Sequence, residues 1–272
     1  MATLQELKKK LRGIKSTEKL TKAMKTVSAA KYSKLNRLFG EYSAYSEKCF
    51  KLYKQYEEEI NAFLPDMNTS APPAVFIFSS NKGMCGGFNT EILNFASEKF
   101  KELPEGTLVF PCGKKAVSYF TEKKLPFEAS YIFSDTPSAE EANAFLEDIL
   151  NMRKEGKISS VFAVCPAYKN VMKQIPEIRE LFTEKKAGEQ KEESDLLFFP
   201  DRTTVMESIS EKVIFAAVYG IILETALGAQ ASTLTTMRSA YDTAKAYSAM
   251  LETQINRKRQ SEVTADVIET SR

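Results

Sequence analysis

One turn of this sequence has residue types that bind phosphate groups in other proteins. The stretch Ser79–Thr90, SSNKGMCGGFNT, follows a predicted strand and opens a predicted helix, where backbone N–H groups can surround a phosphate. Its glycines, Gly83, Gly86 and Gly87, fit neither the P-loop pattern nor the GxGxxG pattern of dinucleotide-binding proteins. Two interpretations stay open, a nucleotide site and a tight glycine-dependent turn, and the spacing favours the turn.

Cysteine and histidine usage limits the chemistry further. Cys85 in the same turn could be a reactive thiol at a helix start, although a packed small hydrophobic residue is the more frequent outcome. No two of the four cysteines have the C-x-x-C spacing of a zinc cluster or a redox dithiol, and their usage indicates a reducing compartment. The chain has no histidine, so Ser–His and Cys–His nucleophile pairs are excluded. The cysteines are Cys49, Cys85, Cys112 and Cys165.

The charged residues are unevenly distributed. The whole chain has 38 Lys and Arg against 36 Asp and Glu, a net charge of +2. Residues 1–37 contain 11 basic and two acidic side chains, a net charge of +9, which leaves −7 for the remainder. A basic arm on an acidic body predicts an acidic partner, which could be a protein, a nucleic acid or a lipid surface. A solvated helix face is the alternative. Near the C-terminus, Arg257–Gln260 offers donors suited to carboxylates or amides.

The basic arm lies in a segment that predicts one long helix. From Leu4 to Phe63 there is no proline, and we expect a helix of about 60 residues that ends before Pro65. Polar Thr17, Thr21 and Ser28 are expected to interrupt an apolar seam with the alternating three- and four-residue steps of a coiled coil. The predicted seam residues are Leu4, Leu7, Leu11, Ile14, Met24, Val27, Leu35, Leu38, Tyr42, Tyr45, Cys49, Leu52, Tyr56 and Phe63.

The last 70 or so residues predict a second long helix, with Asp201 as its N-cap. Its longest uncharged apolar stretch, Val213–Leu223, is too short to span a bilayer. We expect the two terminal helices to pair antiparallel, as a rod with a side lobe, because the middle of the chain can serve as the return connection. The predicted heptad positions are Leu234, Tyr241, Ser248 and Ile255 on one line and Met237, Ala244, Leu251 and Lys258 on the other.

The middle of the chain alternates strand and helix patterns, which predicts a βαβ layered sheet. The charged stretch Glu184–Ser194 is expected to be a surface loop. The predicted fold class is therefore mixed α+β and α/β, with domains at 1–66 (coiled-coil helix), 72–200 (α/β) and 201–272 (coiled-coil helix). The predicted strands are Ala74–Ser79, Thr107–Pro111, Phe127–Phe133 (an extended piece) and Ile158–Cys165, and the predicted helices are Asn89–Leu103, Lys114–Lys123 and Ser138–Lys154.

Three segments have the sequence patterns of a known family. They are Ile14–Met24 with its continuation Val27–Lys31, the turn Gly83–Asn89 (GMCGGFN, similar to RGLCGGLN), and a C-terminal set. In these segments, and over nearly its whole length, the chain resembles the γ subunit of F-type ATP synthases. The C-terminal set consists of Met237, Asp242, Asn256, Arg259, Gln260 and Thr264.

The resemblance implies a fold, partners and a function. It implies an antiparallel coiled coil of the terminal helices inside a hexameric ring of α and β subunits. An inserted Rossmann-like α/β domain would lie near the ε subunit and the membrane c-ring. Rotation of this central stalk would couple proton or sodium flow to ATP synthesis or hydrolysis on β, without nucleic acid or a direct small-molecule substrate. The resemblance implies no catalytic, cofactor-binding or metal-binding residue here, and contacts with β through Met24, Lys25, Arg259, Gln260 and Thr264.

The chain also departs from the family pattern. Gly228–Thr233, GAQAST, lacks the acidic residue and arginine that relatives have there, and the tail Glu269–Arg272 is polar. No extra cysteine pair is present, so we expect no thiol regulation of the chloroplast kind. Met1–Lys15 mixes leucines with lysines, unlike a signal or transit peptide, which predicts a bacterial protein bound peripherally to the cytoplasmic side of the inner membrane. Two alternatives to a rotor remain: a basic coiled-coil nucleic-acid-binding protein and a nucleotide-binding enzyme.

Overall fold

The computed structural model describes residues 3–61, 71–100, 102–182 and 198–271. The chain forms two compact units, one made of residues 1–30 and 233–272 and the other of residues 31–232. The elements in chain order are α1 (Leu4–Gln55), α2 (Glu57–Asn61), β1 (Ala74–Phe78), α3 (Phe88–Lys99), β2 (Leu108–Cys112), α4 (Lys114–Glu122), α5 (Ala139–Lys154), β3 (Val161–Asn170), β4 (Lys173–Phe182) and α6 (Arg202–Thr270).

The two long terminal helices are confirmed. Helix α1 has 52 residues, and α6 has 69. Asp201 caps α6 as predicted, because its carboxylate accepts the backbone N–H of Thr204 at 2.9 Å and the hydroxyl of the same residue at 2.8 Å. The first helix stops at Gln55, eight residues before Phe63, and the short helix α2 follows it. The predicted end near Phe63 and Pro65 lies outside the described residues.

In the first unit, α1 and α6 contact each other in antiparallel order. Lys15 Nζ lies 2.6 Å from Glu252 Oε1, and ten residues further along α1 the Lys25 ammonium lies 4.5 Å from the ring centroid of Tyr241, eleven residues earlier in α6. Along α6 the predicted heptad positions are the protected ones. Met237, Ala244, Ser248 and Leu251 are buried, and Leu234, Tyr241, Ile255 and Lys258 are half-buried.

The protected stripe of α1 also repeats every seven residues. It follows the predicted seam at Leu4, Leu7, Leu11, Ile14, Leu35, Tyr42 and Cys49, but not at Val27. Thr21 and Ser28 are buried in it, as polar interruptions of an otherwise apolar stripe, whereas Thr17 is exposed and Val27 is 56% exposed. Tyr45 and Leu52 are exposed as well. The hydroxyl of Thr21 donates to the carbonyl of Thr17 at 2.9 Å, so the side chain is buried without losing its hydrogen bond. The protected positions that follow the repeat are 4, 7, 11, 14, 18, 21, 25 and 28 in the first unit and 32, 35, 39, 42, 46, 49 and 53 in the second; positions 24, 29, 31 and 38 beside the stripe are half-buried as well.

The second unit contains a four-stranded sheet in the order β2-β1-β3-β4. Strands β2, β1 and β3 are parallel, as the βαβ pattern predicted, and β4 is antiparallel to β3. Strand β4 was not predicted. It contains Pro176, which an edge strand tolerates because one of its sides needs no ladder partner. The predicted strand Ile158–Cys165 is shifted and longer, and Phe127–Phe133 contributes only a bridge from Tyr131 to Cys112.

Helices cover both faces of this sheet. Phe76 and Phe78 of β1 pack into one apolar cluster with α1, α5 and α6, while Val75 and Ile77 pack into another with α3 and α4. The predicted helices of this region are confirmed with small shifts in their ends, and Ser138 with Glu141 forms a capping box at the start of α5. The predicted loop Glu184–Ser194 lies outside the described residues.

Helix α6 supplies much of the interior of the second unit. By length and composition one of its windows could cross a membrane, with a mean hydropathy of 1.6, but 72% of that window is buried inside the protein. Such burial is typical of the core helix of a globular domain, as expected for the region around Val213–Leu223.

Candidate partner-contact surface

Met24 and Lys25, predicted to contact a partner, lie in α1 within the first unit. Both side chains are half-buried. The Lys25 ammonium lies over the ring of Tyr241 at 4.5 Å, a distance at which the negative face of the ring attracts the cation. Lys25 is therefore held against α6 and presents its charge at a fixed place on the surface of this unit.

Arg259, Gln260 and Thr264 lie near the end of α6 and are exposed. Thr264 donates its hydroxyl to the Gln260 backbone carbonyl at 2.9 Å within the helix. Arg259 and Gln260 follow the half-buried heptad residue Lys258, and Glu262 beyond them is half-buried as well. The guanidinium of Arg259 and the side-chain amide of Gln260 have N–H donors that are suited to carboxylate and carbonyl groups of a facing protein.

The structure does not bring these two groups of predicted residues together. Lys25 contacts Tyr241, and Arg259 follows Tyr241 by 18 residues on the same helix, which is about 27 Å along its axis. Met24 and Lys25 therefore form one candidate contact point, and Arg259, Gln260 and Thr264 form another at a different level of the first unit.

The first unit is strongly basic. Residues 1–30 and 233–272 contain 14 Lys and Arg against seven Asp and Glu, a net charge of +7, whereas residues 31–232 have a net charge of −5. The positive electrostatic potential of the first unit attracts an acidic surface and repels a basic one. The exposed basic side chains of α1 in this unit are Lys8, Lys9, Lys10, Arg12, Lys15, Lys19 and Lys22.

The glycine turn that could have bound phosphate packs against α6. The Ser232 hydroxyl donates to the Cys85 carbonyl at 2.5 Å, and the Asn89 side chain accepts the Ser80 backbone N–H at 3.0 Å. Met84 and Gly86 adopt left-handed conformations, with φ of 63° and 57°. Cys85 is only 3% exposed. These contacts favour the interpretation as a tight, packed turn.

The cysteines are all buried, with free thiols. Burial raises the pKa of Cys112 and brings the pKa of Cys165 to about 12, so both stay protonated and weakly nucleophilic. Within the described ranges, no cluster of three or more Cys, Asp and Glu side chains has the arrangement of a metal site.

Sequence reasoning missed a set of polar residues in the second unit. Glu224 is the one charged residue between Lys212 and Arg238, and it is buried in α6. A lone acid in a long uncharged stretch was the available signal. Its partners could not be identified because they lie far away in sequence, as Tyr168 and Arg179 do.

Comparisons with known proteins agree along the whole chain. A family model described as ATP synthase matches residues 3–271. The chain is 26% identical to the ATP synthase gamma chain of Paraburkholderia phymatum, covering 99% of this chain and 97% of the relative, and 29% identical to that of Clostridium botulinum strain Hall, covering 78% and 75%.

Solved structures of two rotors have a similar fold. The rotor of the Euglena gracilis mitochondrial ATP synthase matches with a TM-score of 0.65 at 17% identity, covering 96% of this chain and 98% of that one. The central stalk and c-ring structure from Tetrahymena thermophila matches with a TM-score of 0.58 at 19% identity, covering 81% and 99%.

Proposed function

The chain belongs to the γ-subunit family of F-type ATP synthases, and from this membership we infer that it is the central rotor shaft of such an enzyme. The observation that carries this conclusion is the family match from residue 3 to residue 271, because it includes both terminal helices and the domain between them. The partners are the α and β subunits of the catalytic hexamer, the ε subunit and the c-ring. The comparisons give no support to the nucleic-acid-binding alternative.

We propose that the terminal helices form an antiparallel coiled coil in the first unit. The support is the order of the Lys15–Glu252 and Lys25–Tyr241 contacts together with the seven-residue spacing of protected positions on both helices. We also propose that the α/β part of the second unit is Rossmann-like, on the support of three parallel strands with helices on both faces.

A shaft must carry torque, and the continuity of α1 and α6 supports that role. Each helix runs without a break from one compact unit into the other. A turning force applied to one unit is therefore carried along backbone hydrogen bonds rather than through a flexible linker. Rotation of the asymmetric shaft then favours different conformations of the β subunits in turn, which couples proton or sodium flow to ATP synthesis or hydrolysis.

We propose that Met24, Lys25, Arg259, Gln260 and Thr264 contact the β subunits. Their support is exposure or partial exposure in a unit with a net charge of +7, and donors suited to acidic loops. A rotor surface should bind each β conformation with a difference of a few kcal/mol, since an irreversible contact would stop rotation. The two separate levels would let the shaft contact β at two heights.

We propose that this subunit is itself non-catalytic and that the complex lies peripherally on the cytoplasmic side of a bacterial inner membrane. The absence of histidine and the protonated, buried thiols of Cys112 and Cys165 support a role without chemistry of its own. The bacterial gamma chains among the relatives support the location.

Co-purification tests the function. A tagged chain expressed in its own cells should come out of detergent extracts with α and β subunits, at one copy for each hexamer of three α and three β. Nucleic acid in place of these subunits, with binding that weakens steeply as salt rises, would instead favour the alternative. A chain that purifies alone from cells containing α and β would contradict the rotor assignment.

A further inference from the structure

A buried carboxylate connects α6 to both strands of the β3–β4 hairpin. Glu224 is 9% exposed. Its Oε1 accepts the backbone N–H of Tyr168 on β3 at 2.6 Å, and its Oε2 accepts Nη1 of Arg179 on β4 at 2.7 Å. Because both oxygens accept hydrogen bonds and the Glu224 side chain is largely buried, the carboxylate holds the hairpin and the helix in one relative position.

The other long helix is connected to the same hairpin. The hydroxyl of Tyr32 in α1 lies 2.8 Å from the hydroxyl of Tyr168, so Tyr168 bonds α1 through its side chain and α6 through its backbone. The Tyr168 ring also packs edge-on against Phe39 of α1, with centroids 6.2 Å apart. One residue of β3 thus contacts both halves of the shaft.

A second connection from α1 reaches two loops of the same domain. Lys31 Nζ lies 2.5 Å from Asp135 Oδ2, and Lys82 Nζ lies 2.6 Å from the same oxygen. Lys82 belongs to the glycine turn and Asp135 to the segment before α5. The Asp135 carboxylate therefore holds α1 to two separate loops of the domain.

These hydrogen bonds and ion pairs can resist sliding of the helices against the sheet more strongly than the surrounding apolar contacts can. Apolar packing is non-directional, so it opposes separation of two surfaces more than it opposes sliding of one past the other. A hydrogen bond to a buried charge weakens steeply when its geometry is disturbed, and an unpaired buried charge is costly. The polar bonds are therefore the contacts best suited to resist turning of the helices against the sheet.

We propose that Lys31, Tyr32, Asp135, Tyr168, Arg179 and Glu224, here called the collar, transmit torque between the α/β domain and the two long helices. This inference rests on the proposed function, in which the α/β domain is the part of the rotor near the c-ring. The collar residues are positioning residues: they keep the domain and the shaft turning as one body. When the collar fails, the catalytic hexamer can turn the shaft while the c-ring lags.

The test uses the whole membrane-bound complex in inverted vesicles, with ATP hydrolysis and ATP-driven uptake of the coupling ion measured on the same sample. Glu224→Gln places an amide against the N–H and guanidinium donors, so we expect ion uptake for each ATP hydrolysed to fall at least threefold while hydrolysis stays within twofold of wild type. Glu177→Gln is the matched control, because Glu177 also bonds Arg179, at 2.5 Å, but lies on β4 with it and does not reach α6. It should leave the ratio unchanged.

Two milder variants keep the proposal testable if Glu224→Gln does not assemble. Tyr168→Phe removes the bond to Tyr32 but keeps the ring and the backbone N–H, and Asp135→Asn weakens both lysine contacts. Together they should lower the uptake-to-hydrolysis ratio at least twofold. An unchanged ratio in the assembled variants, or a parallel fall of uptake and hydrolysis, would overturn the collar. A wild-type complex that shows no ATP-driven uptake would contradict the proposed function instead.

Discussion

Lys15 Nζ and Glu252 Oε1 lie 2.6 Å apart, although one residue is near the start of the chain and the other is near its end. Both side chains are about half exposed, so the ion pair itself contributes little, and its value is as a marker of register. Deletion of Ala2–Thr21 should therefore remove more helix than the 20 deleted residues, because the facing part of α6 loses its apolar partner and isolated helices are marginal in water.

Circular dichroism of the purified chain measures that loss. Lys15→Ala is the control, and we expect its helical signal to stay at the wild-type level. A loss of helicity proportional to the deleted residues would show that the two ends do not stabilise each other.

Thr21 and Thr17 offer a matched pair for testing the α1 stripe. Both hydroxyls donate to a carbonyl four residues earlier, at 2.9 and 3.2 Å, but Thr21 is buried and Thr17 is exposed. Thr21→Val should stabilise the chain by about 1 kcal/mol through added apolar burial. Thr17→Val should stay within about 0.5 kcal/mol of wild type. Thermal unfolding checks both, and equal shifts in the two variants would contradict the observed register.

The long helices and most of the sheet could be predicted because their signals are local. The absence of proline over the first 60 or so residues was enough for α1, and the apolar run at β1 was enough for a buried strand. Much of the α1 seam was predicted, but Val27 was wrongly included because it is apolar; its exposure follows from a seven-residue repeat that is set by the whole helix.

The collar could not be predicted from the sequence for a different reason. A hydrogen bond between Glu224 and the backbone of Tyr168 joins residues 56 positions apart, and no local spacing encodes it. The predicted contact residues were likewise suggested by family patterns rather than by geometry, so their role remains a prediction.

Arg259 and Gln260 test that role. Replacing both by Ala should lower the ATPase rate of the assembled, coupled complex about fivefold or more, since lost hydrogen bonds to charged groups cost about 1.5–3 kcal/mol each. The isolated chain should keep its helicity, because both side chains are exposed. Lys245→Ala, an exposed cation elsewhere on α6, should have little effect. Unaltered turnover of the double variant in the complex would count against a contact role.

The lowered pKa of Asp135 predicts that part of the folding stability is lost at acidic pH. Burial alone would raise the pKa of this carboxyl, but the ammonium groups of Lys31 and Lys82 outweigh it and lower the pKa. The folded state therefore binds this proton less readily than the unfolded state. The stabilisation is complete above the ordinary value of about 4 and is lost as the pH falls through the lowered folded value.

Urea unfolding of wild type and Asp135→Asn between pH 7 and pH 3 measures this effect. At pH 7 the variant should be less stable by about 1 kcal/mol, and the difference should shrink as the pH falls below about 4. A difference that stays constant with pH would mean that the two ammonium contacts do not govern the carboxyl.

Gly106 and Gly113 flank strand β2, one before it and one after it, and their substitution tests how closely the chain packs at each end. Both have left-handed φ angles, 93° and 84°, but a Cβ on Gly113 would lie 2.2 Å from the Ser79 carbonyl oxygen, whereas one on Gly106 would meet open space. Gly106→Ala should cost about 1–2 kcal/mol from backbone strain alone. Gly113→Ala should cost at least about 3 kcal/mol, because the clash is with the main chain. Comparable melting temperatures for the two variants would refute this difference.

The unbroken seven-residue repeat of α1 has a consequence for the direction of turning. Because an α-helix has 3.6 residues per turn, a strict repeat of seven drifts by about 20° in each heptad and makes paired helices wind around each other with a left hand. Twisting such a pair further in its own sense tightens the winding, and twisting it the other way unwinds it. In the coiled coil that we propose for the terminal helices, torsional stiffness should therefore differ between the two senses of rotation.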